Sequence, residues 1–153
     1  MKREGFLYIL WRYLCAMAVA FAVAVVVVGL GLRASGIGLM TFLSGANLIG
    51  VTIQRPIGSG SIAFAAAFLG TLAGSMCILR HSRIAACLVL TLILLMFYQT
   101  LWFLYWQHEV TSKHGNSSLA LQMGGGGCFA LVVMIIVTRR KLRNDEESSP
   151  AAA

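Results

Sequence analysis

The feature that most constrains this chain is the separation of its charges from its long apolar runs. Residues 13–32, 34–54, 56–79, 84–107 and 115–138 contain no Asp, Glu, Lys or Arg. About 20 apolar residues in a helix are needed to cross a bilayer, and only a helix or a closed barrel satisfies its own backbone there. The runs therefore predict an all-α integral membrane protein.

The composition and the placement of charge narrow the range of partners. Of the 153 residues, 59% are hydrophobic and 11% are charged, whereas a soluble domain carries about 25% charged residues. The basic residues flank the apolar runs, with one cluster at Arg139, Arg140, Lys141 and Arg143. This placement is typical of membrane topology signals, and no basic face with interleaved aromatic residues is present for nucleic acid. We predict the lipid bilayer as a partner and no nucleic acid.

We predict a four-helix transmembrane bundle that forms a single domain over residues 1–138, with spans at about 13–32, 61–79, 84–107 and 119–138. The alternative for the first run is a cleaved signal peptide. Its 20 residues exceed the 7–15 residues, roughly, of a signal-peptide core, so we expect an uncleaved helix. The tail, residues 139–153, is basic and then polar, and we expect it to be disordered and cytoplasmic.

Residues 34–54 are uncharged but rich in Gly, Ser, Thr, Asn and Gln. In a helix, Thr41, Ser44 and Asn47 would lie on one stripe that is unfavourable against lipid. The segment is therefore a fifth span buried in protein, a re-entrant element or an interfacial one, and each of these remains open. If it lines a conduit, these three residues are the candidate lining.

The distribution of Lys and Arg predicts the orientation, because cytoplasmic loops carry an excess of both. Four spans with both termini inside place nine of the twelve basic residues on the inner side and leave Arg33, Arg55 and Lys113 outside. A fifth span gives at best seven against five. We therefore predict cytoplasmic N- and C-termini, in a bacterial inner membrane or a eukaryotic plasma or ER membrane.

Three ridges of small residues recur at every fourth position, the spacing that lets membrane helices approach closely. They comprise Ala66, Gly70 and Gly74; Ala16, Ala20 and Ala24; and Ala120, Gly124 and Cys128. We predict that these ridges are helix-packing interfaces, either within the bundle or toward a partner. The third ridge includes part of the run Gly124-Gly125-Gly126-Gly127, which also offers a kink or hinge, since glycine has a low helix propensity.

Chemical motifs are weak by comparison. The four cysteines (Cys15, Cys77, Cys87 and Cys128) contain no C-x-x-C pair, and buried cysteine is usually a small apolar residue. Cys77, His81 and Cys87 are close enough in sequence to offer ligands to a soft metal, and His108 and His114 share an outer loop. The predicted spans hold no Asp, Glu, His, Lys or Arg of the kind that ion-coupled transporters use. We predict no catalytic residues, no metal and no cofactor.

The leading functional interpretation is a non-catalytic protein that acts by interaction, as an accessory subunit or an immunity-type or regulatory partner of a membrane complex. Its partners would be other transmembrane subunits or further copies of itself. One alternative is an oligomeric pore or small-solute carrier lined by residues 34–54. The other is a membrane enzyme acting on lipid or thiol through Cys77 and His81, or through the outer histidines.

Overall fold

The computed structural model describes residues 3–43, 58–78, 82–106 and 113–147. These residues form five helices and no strand. They are α1 (Arg3–Ser35), α2 (Leu39–Leu43), α3 (Ser59–Met76), α4 (Arg83–Trp106) and α5 (Lys113–Glu147). The predicted all-helical fold is therefore confirmed over the described part of the chain.

Four of the helices are long and apolar enough to cross a membrane, as the charge-free runs predicted. Their apolar spans are Leu7–Ser35, Ser59–Met76, Arg83–Leu101 and Leu119–Lys141. The fifth helix, α2, has five residues and rises about 7.5 Å at 1.5 Å per residue. It is too short to span, and the remainder of the ambiguous segment, from residue 44, lies outside the described residues.

The helix α3 is the centre of the bundle, because it packs against α1, α4 and α5. Within its span 56% of the residues are buried, compared with 11% in α1. Its sequence explains this position. Alanine and glycine occupy much of its length (Ala63, Ala66, Ala67, Gly70 and Gly74 are all buried), and small side chains let neighbouring backbones approach from several sides.

Local hydrogen bonds define two of the helix ends. Gly36 adopts a φ of +65°, the left-handed conformation that commonly terminates a helix. Just before it, the Ser35 hydroxyl donates to the Leu32 carbonyl at 3.3 Å and accepts from the Ile37 N–H at 3.4 Å. At the opposite end of the bundle, Arg83 Nε donates to the Ile78 carbonyl at 3.1 Å. This bond links the residue that starts α4 to the end of α3.

The structure differs from the sequence prediction at both ends of the last helix. Residues 113–118 of the expected loop belong to α5, which starts at Lys113, and the expected disordered tail is helical as far as Glu147. Extending an existing helix fixes few dihedral angles per added hydrogen bond, and Arg, Lys, Leu and Glu are good helix formers. The apolar span therefore acts as the nucleus from which the helix continues through the basic cluster.

Candidate functional site

The first two predicted small-residue ridges lie against each other, where α1 crosses α3. A Cβ atom added at Gly70 would lie 2.8 Å from the Ala20 carbonyl oxygen and 3.3 Å from Ala24 Cβ. One added at Gly74 would lie 2.7 Å from the Ala16 carbonyl oxygen and 2.9 Å from Ala20 Cβ. Real Cβ contacts below 3.0 Å are essentially never seen, so the two backbones have approached as closely as glycine permits.

Burial agrees with this geometry. Ala16 and Ala20 are fully buried, and Ala66, which begins the α3 ridge, is 2% exposed. These residues are therefore occupied within the bundle and are not presented to an external partner. The sequence left open whether these ridges pack within the bundle or against a partner. In the structure they pack within the bundle.

The glycine run of α5 provides a second close contact, but through different glycines from those predicted. A Cβ at Gly126 would overlap the Phe64 carbonyl oxygen of α3 and lie 3.1 Å from Phe68 N, and a Cβ at Gly127 would overlap the Thr91 side chain of α4. Both glycines are buried. The helix α5 continues without interruption through the run, and these two glycines provide close packing; the kink or hinge stays a prediction.

The predicted ridges do not include Gly126 and Gly127, although the sequence contains a signal for Gly126. Gly126 and Ala130 also stand four residues apart, and Ala130 is fully buried. Aromatic contacts reinforce this side of α5, since Phe129 lies 5.3 Å, centroid to centroid, from Phe68 and 6.1 Å from Phe64. Because the run of glycines fits several helical phases equally well, only the contact with α3 distinguishes them.

The predicted third ridge is only partly covered by the described residues, since Ala120 and Gly124 are half-buried. Cys128 is exposed, and the nearest described atom to a Cβ at Gly124, Leu95 Cδ1 of α4, would be 4.0 Å away. A groove of about 640 Å³ runs along the adjacent face of α4 and is lined by Leu92, Leu95, Met96, Gln99, Thr100 and Phe103. We call these α5 positions and the groove the α4–α5 face.

The predicted conduit residues are only partly described. Thr41 lies in α2 and is half-buried, whereas Ser44 and Asn47 lie outside the described residues. Next to Thr41, Phe42 is buried and lines an apolar cavity of about 310 Å³ between α1 and α4. An apolar cavity does not provide the polar lining that a solute path would need.

The candidate metal and thiol residues are not brought together in the described residues. Cys15, Cys77 and Cys128 are exposed and Cys87 is buried, and all four thiols are free. Cys77 Sγ lies 3.6 Å from the Ala73 carbonyl oxygen of its own helix. No group of three His, Cys, Asp or Glu residues able to hold a metal occurs there. His81 and His108 lie outside the described part of the chain, and the side chain of His114 is not described.

Comparison with known proteins gives no family: no protein-family model, no curated protein and no solved structure matches this chain.

Proposed function

We propose that this chain is an integral membrane protein that acts by interaction, as a non-catalytic accessory or regulatory subunit, and that its α4–α5 face is the surface that meets the partner. The observation that carries the proposal is the unequal use of the three small-residue ridges. Two of them pack against each other where α1 crosses α3, while on α5 Gly124 is only half-buried and Cys128 is exposed.

The physical reason is the way helices associate in lipid. Lipid tails are as apolar as leucine, so association depends on close packing and hydrogen bonds between helices. The small residues Gly124 and Cys128 leave a shallow depression on α5, and the α4 groove beside it includes the exposed polar residues Gln99 and Thr100. A transmembrane helix seated there would pack closely on the small residues and have polar groups within reach.

The partner is a transmembrane helix from another subunit or from a second copy of this chain, and Cys128 provides a way to test this. With Cys15, Cys77 and Cys87 replaced by alanine, Cys128 is the one remaining thiol. We expect a membrane-permeable maleimide that carries a benzophenone, added to intact cells and then illuminated, to join Cys128 to its partner whether or not the partner has a thiol. A product of twice the chain's 16.5 kDa identifies a second copy, and any other discrete mass identifies a different subunit.

A matched thiol controls for random collisions. Ala18 is an exposed small residue on α1, so the variant Ala18→Cys with all four native cysteines replaced tests another exposed helix face. We expect no discrete product from it. Gly124→Leu should also abolish the Cys128 product, because a leucine would fill the depression. Equal products from residues 18 and 128, or none from 128, would contradict an interaction through the α4–α5 face.

The proposed orientation has both termini in the cytoplasm, supported by the bias of nine basic residues against three. A reporter that is active only in the cytoplasm should be active when fused after Ala153 and inactive when fused at Lys113. The reverse pair of activities would contradict the orientation, and activity at both sites would contradict a spanning helix between them.

A further inference from the structure

The apolar cavity between α1 and α4 is only partly enclosed. The two helices make few contacts with each other. Ala66 of α3 and Met123 of α5 form the inner wall, and side chains of α1 and α4 form the two sides. A cavity of about 310 Å³ falls at the lower end of the range, roughly 300–1,000 Å³, that is typical of ligand pockets in proteins.

Aromatic and apolar side chains line both ends of the cavity. Toward the middle of the bundle, the rings of Phe21 and Phe97 meet edge to face, with their centroids 4.8 Å apart and an interplanar angle of 77°. At the other end, Leu39 and Phe42 of α2 contribute to the lining. The cavity is therefore a partly enclosed slot along α1 and differs from an ordinary stretch of exposed helix surface.

The length of the slot matches one leaflet of a bilayer. Its α1 wall extends from Phe21 to Leu32, which is about 16 Å at a rise of 1.5 Å per residue. Half of a hydrocarbon core of about 30 Å is close to the same length. An acyl chain lying along the slot would thus extend from the middle of the bilayer to the headgroup level.

A positive charge stands at the headgroup end. Arg33 is exposed in the last turn of α1, and it lies four residues beyond Gly29 of the slot, on the same side of the helix. A guanidinium group binds phosphate through paired hydrogen bonds. The slot therefore combines an apolar wall of acyl-chain length with a cation where a lipid phosphate would lie.

We propose that this slot, which we call the α1–α4 slot, binds one phospholipid, with an acyl chain between α1 and α4 and its phosphate at Arg33. The inference rests on the membrane insertion proposed above. An unfilled slot would deprive its walls of dispersion contacts, and an acyl chain supplies them. The bound lipid would be the one in the leaflet opposite the termini, and Arg33 would distinguish it from an uncharged alkyl molecule.

The test uses the full chain in lipid nanodiscs that contain phosphatidylglycerol with a diazirine in one acyl chain. After illumination, mass spectrometry of peptides locates the lipid adducts. We expect adducts concentrated on the slot residues of α1 and α4. Gly29→Leu should remove them, because Gly29 lines the slot and a Cβ there meets no other described atom within 4 Å. The added side chain thus has room to enter the slot without disturbing the fold.

Matched variants make the result specific. Ala18→Leu alters the same stripe of α1 but lies outside the slot, and we expect its slot adducts to persist. Arg33→Gln should reduce labelling by the photoactivatable phospholipid and leave labelling by an uncharged photoactivatable fatty alcohol unchanged. If Gly29→Leu fails to fold, Val25→Phe, at an exposed residue of the slot, gives the same test.

Several results would overturn the proposal. Slot adducts that persist in both Gly29→Leu and Val25→Phe would mean that the labelled lipid does not occupy the slot. Adducts spread evenly over all exposed faces would indicate annular lipid only, and protein crosslinks within the slot would indicate a helix as its occupant. The absence of adducts from every helix, together with release of the protein by alkaline carbonate, would overturn the membrane insertion itself, and the lipid proposal with it.

Discussion

Gly126→Ala is expected to destabilise the bundle strongly, whereas Gly124→Ala, two residues away in the same helix, should leave its stability unchanged or slightly raised. The new Cβ at residue 126 would overlap the backbone carbonyl of Phe64 and lie 3.1 Å from Phe68 N. Backbone atoms of a packed helix cannot turn aside, so α5 must move away from α3. Overpacking typically costs about 1–3 kcal/mol, and a backbone clash belongs at the upper end.

The neighbouring positions explain why the outcome should depend so sharply on residue number. At Gly124 the added Cβ is 4.0 Å from its nearest neighbour, Leu95 Cδ1, so alanine makes an ordinary van der Waals contact and displaces no atom. The gain in helix propensity from glycine to alanine is about 1 kcal/mol in water. Denaturation by SDS in mixed micelles, followed by circular dichroism, measures both variants on one scale. Equal stabilities for the two would contradict the α3–α5 contact.

Variants at Gly127 distinguish a clash with a side chain from a clash with the backbone. Its Cβ would overlap the Thr91 side chain, so Gly127→Ala should also be destabilising, but Thr91→Ala should recover part of the loss. Thr91 Oγ1 donates a hydrogen bond to the Cys87 carbonyl of its own helix at 2.8 Å. When the hydroxyl is removed, that carbonyl still accepts the backbone hydrogen bond of the helix. In contrast, Phe64→Ala should not rescue Gly126→Ala, because the obstructing atoms belong to the Phe64 backbone. A double-mutant cycle measures this coupling directly.

The sequence predicts the four long helices because the governing constraint is local. An apolar run without charge in lipid must satisfy its backbone hydrogen bonds within itself, and that requirement does not depend on neighbouring helices. The positions where the helices end depend less on local sequence. The start of α5 at Lys113 and its continuation to Glu147 depend on growth from a helix already formed, which a residue-by-residue reading of polarity does not capture.

The helix contacts divide in the same way. On α1 and on α3, three Ala or Gly residues at every fourth position occur on one side of the helix only. Their spacing therefore points to a single set of residues, namely Gly70, Gly74, Ala16 and Ala20. Within 124–127 every phase carries a glycine, and the one used is decided by Phe64 and Thr91, residues remote in sequence. The α1–α4 slot was also not predictable, because its lining comes from five helices that are remote in sequence, including α2 after the turn at Gly36.

The second large effect is expected at the α1–α3 contact. Gly74→Leu should prevent the native packing of α1 on α3, because its Cβ alone would lie 2.7 Å from the Ala16 carbonyl oxygen and 2.8 Å from Leu90 Cδ1. Gly70→Leu should act in the same direction, against the Ala20 carbonyl. We expect each to cost about 3 kcal/mol or more.

The matched control is Leu72→Ala, which lies between the two glycines but is only half-buried. Removing part of an incompletely buried leucine should cost less than the roughly 2–5 kcal/mol of a full core truncation. Leu90→Ala should not restore Gly74→Leu, because it removes one obstacle and leaves the Ala16 backbone in place. SDS denaturation measures the stability of each variant, and a crosslink between cysteines placed in α1 and α3 measures the contact between the two helices. We expect both to decrease in the glycine variants.

These variants also separate packing within the bundle from assembly between chains. If the ridge of Gly70 and Gly74 serves the fold, as its contacts with Ala16 and Ala20 imply, the glycine variants lose stability as isolated chains. The Cys128 crosslink product, which depends on the opposite side of the bundle, should then decline only in proportion to the unfolded fraction. A Gly74→Leu variant that keeps its full stability but loses an oligomer would assign the ridge to a partner. That result would contradict the contact of Gly70 and Gly74 with Ala16 and Ala20.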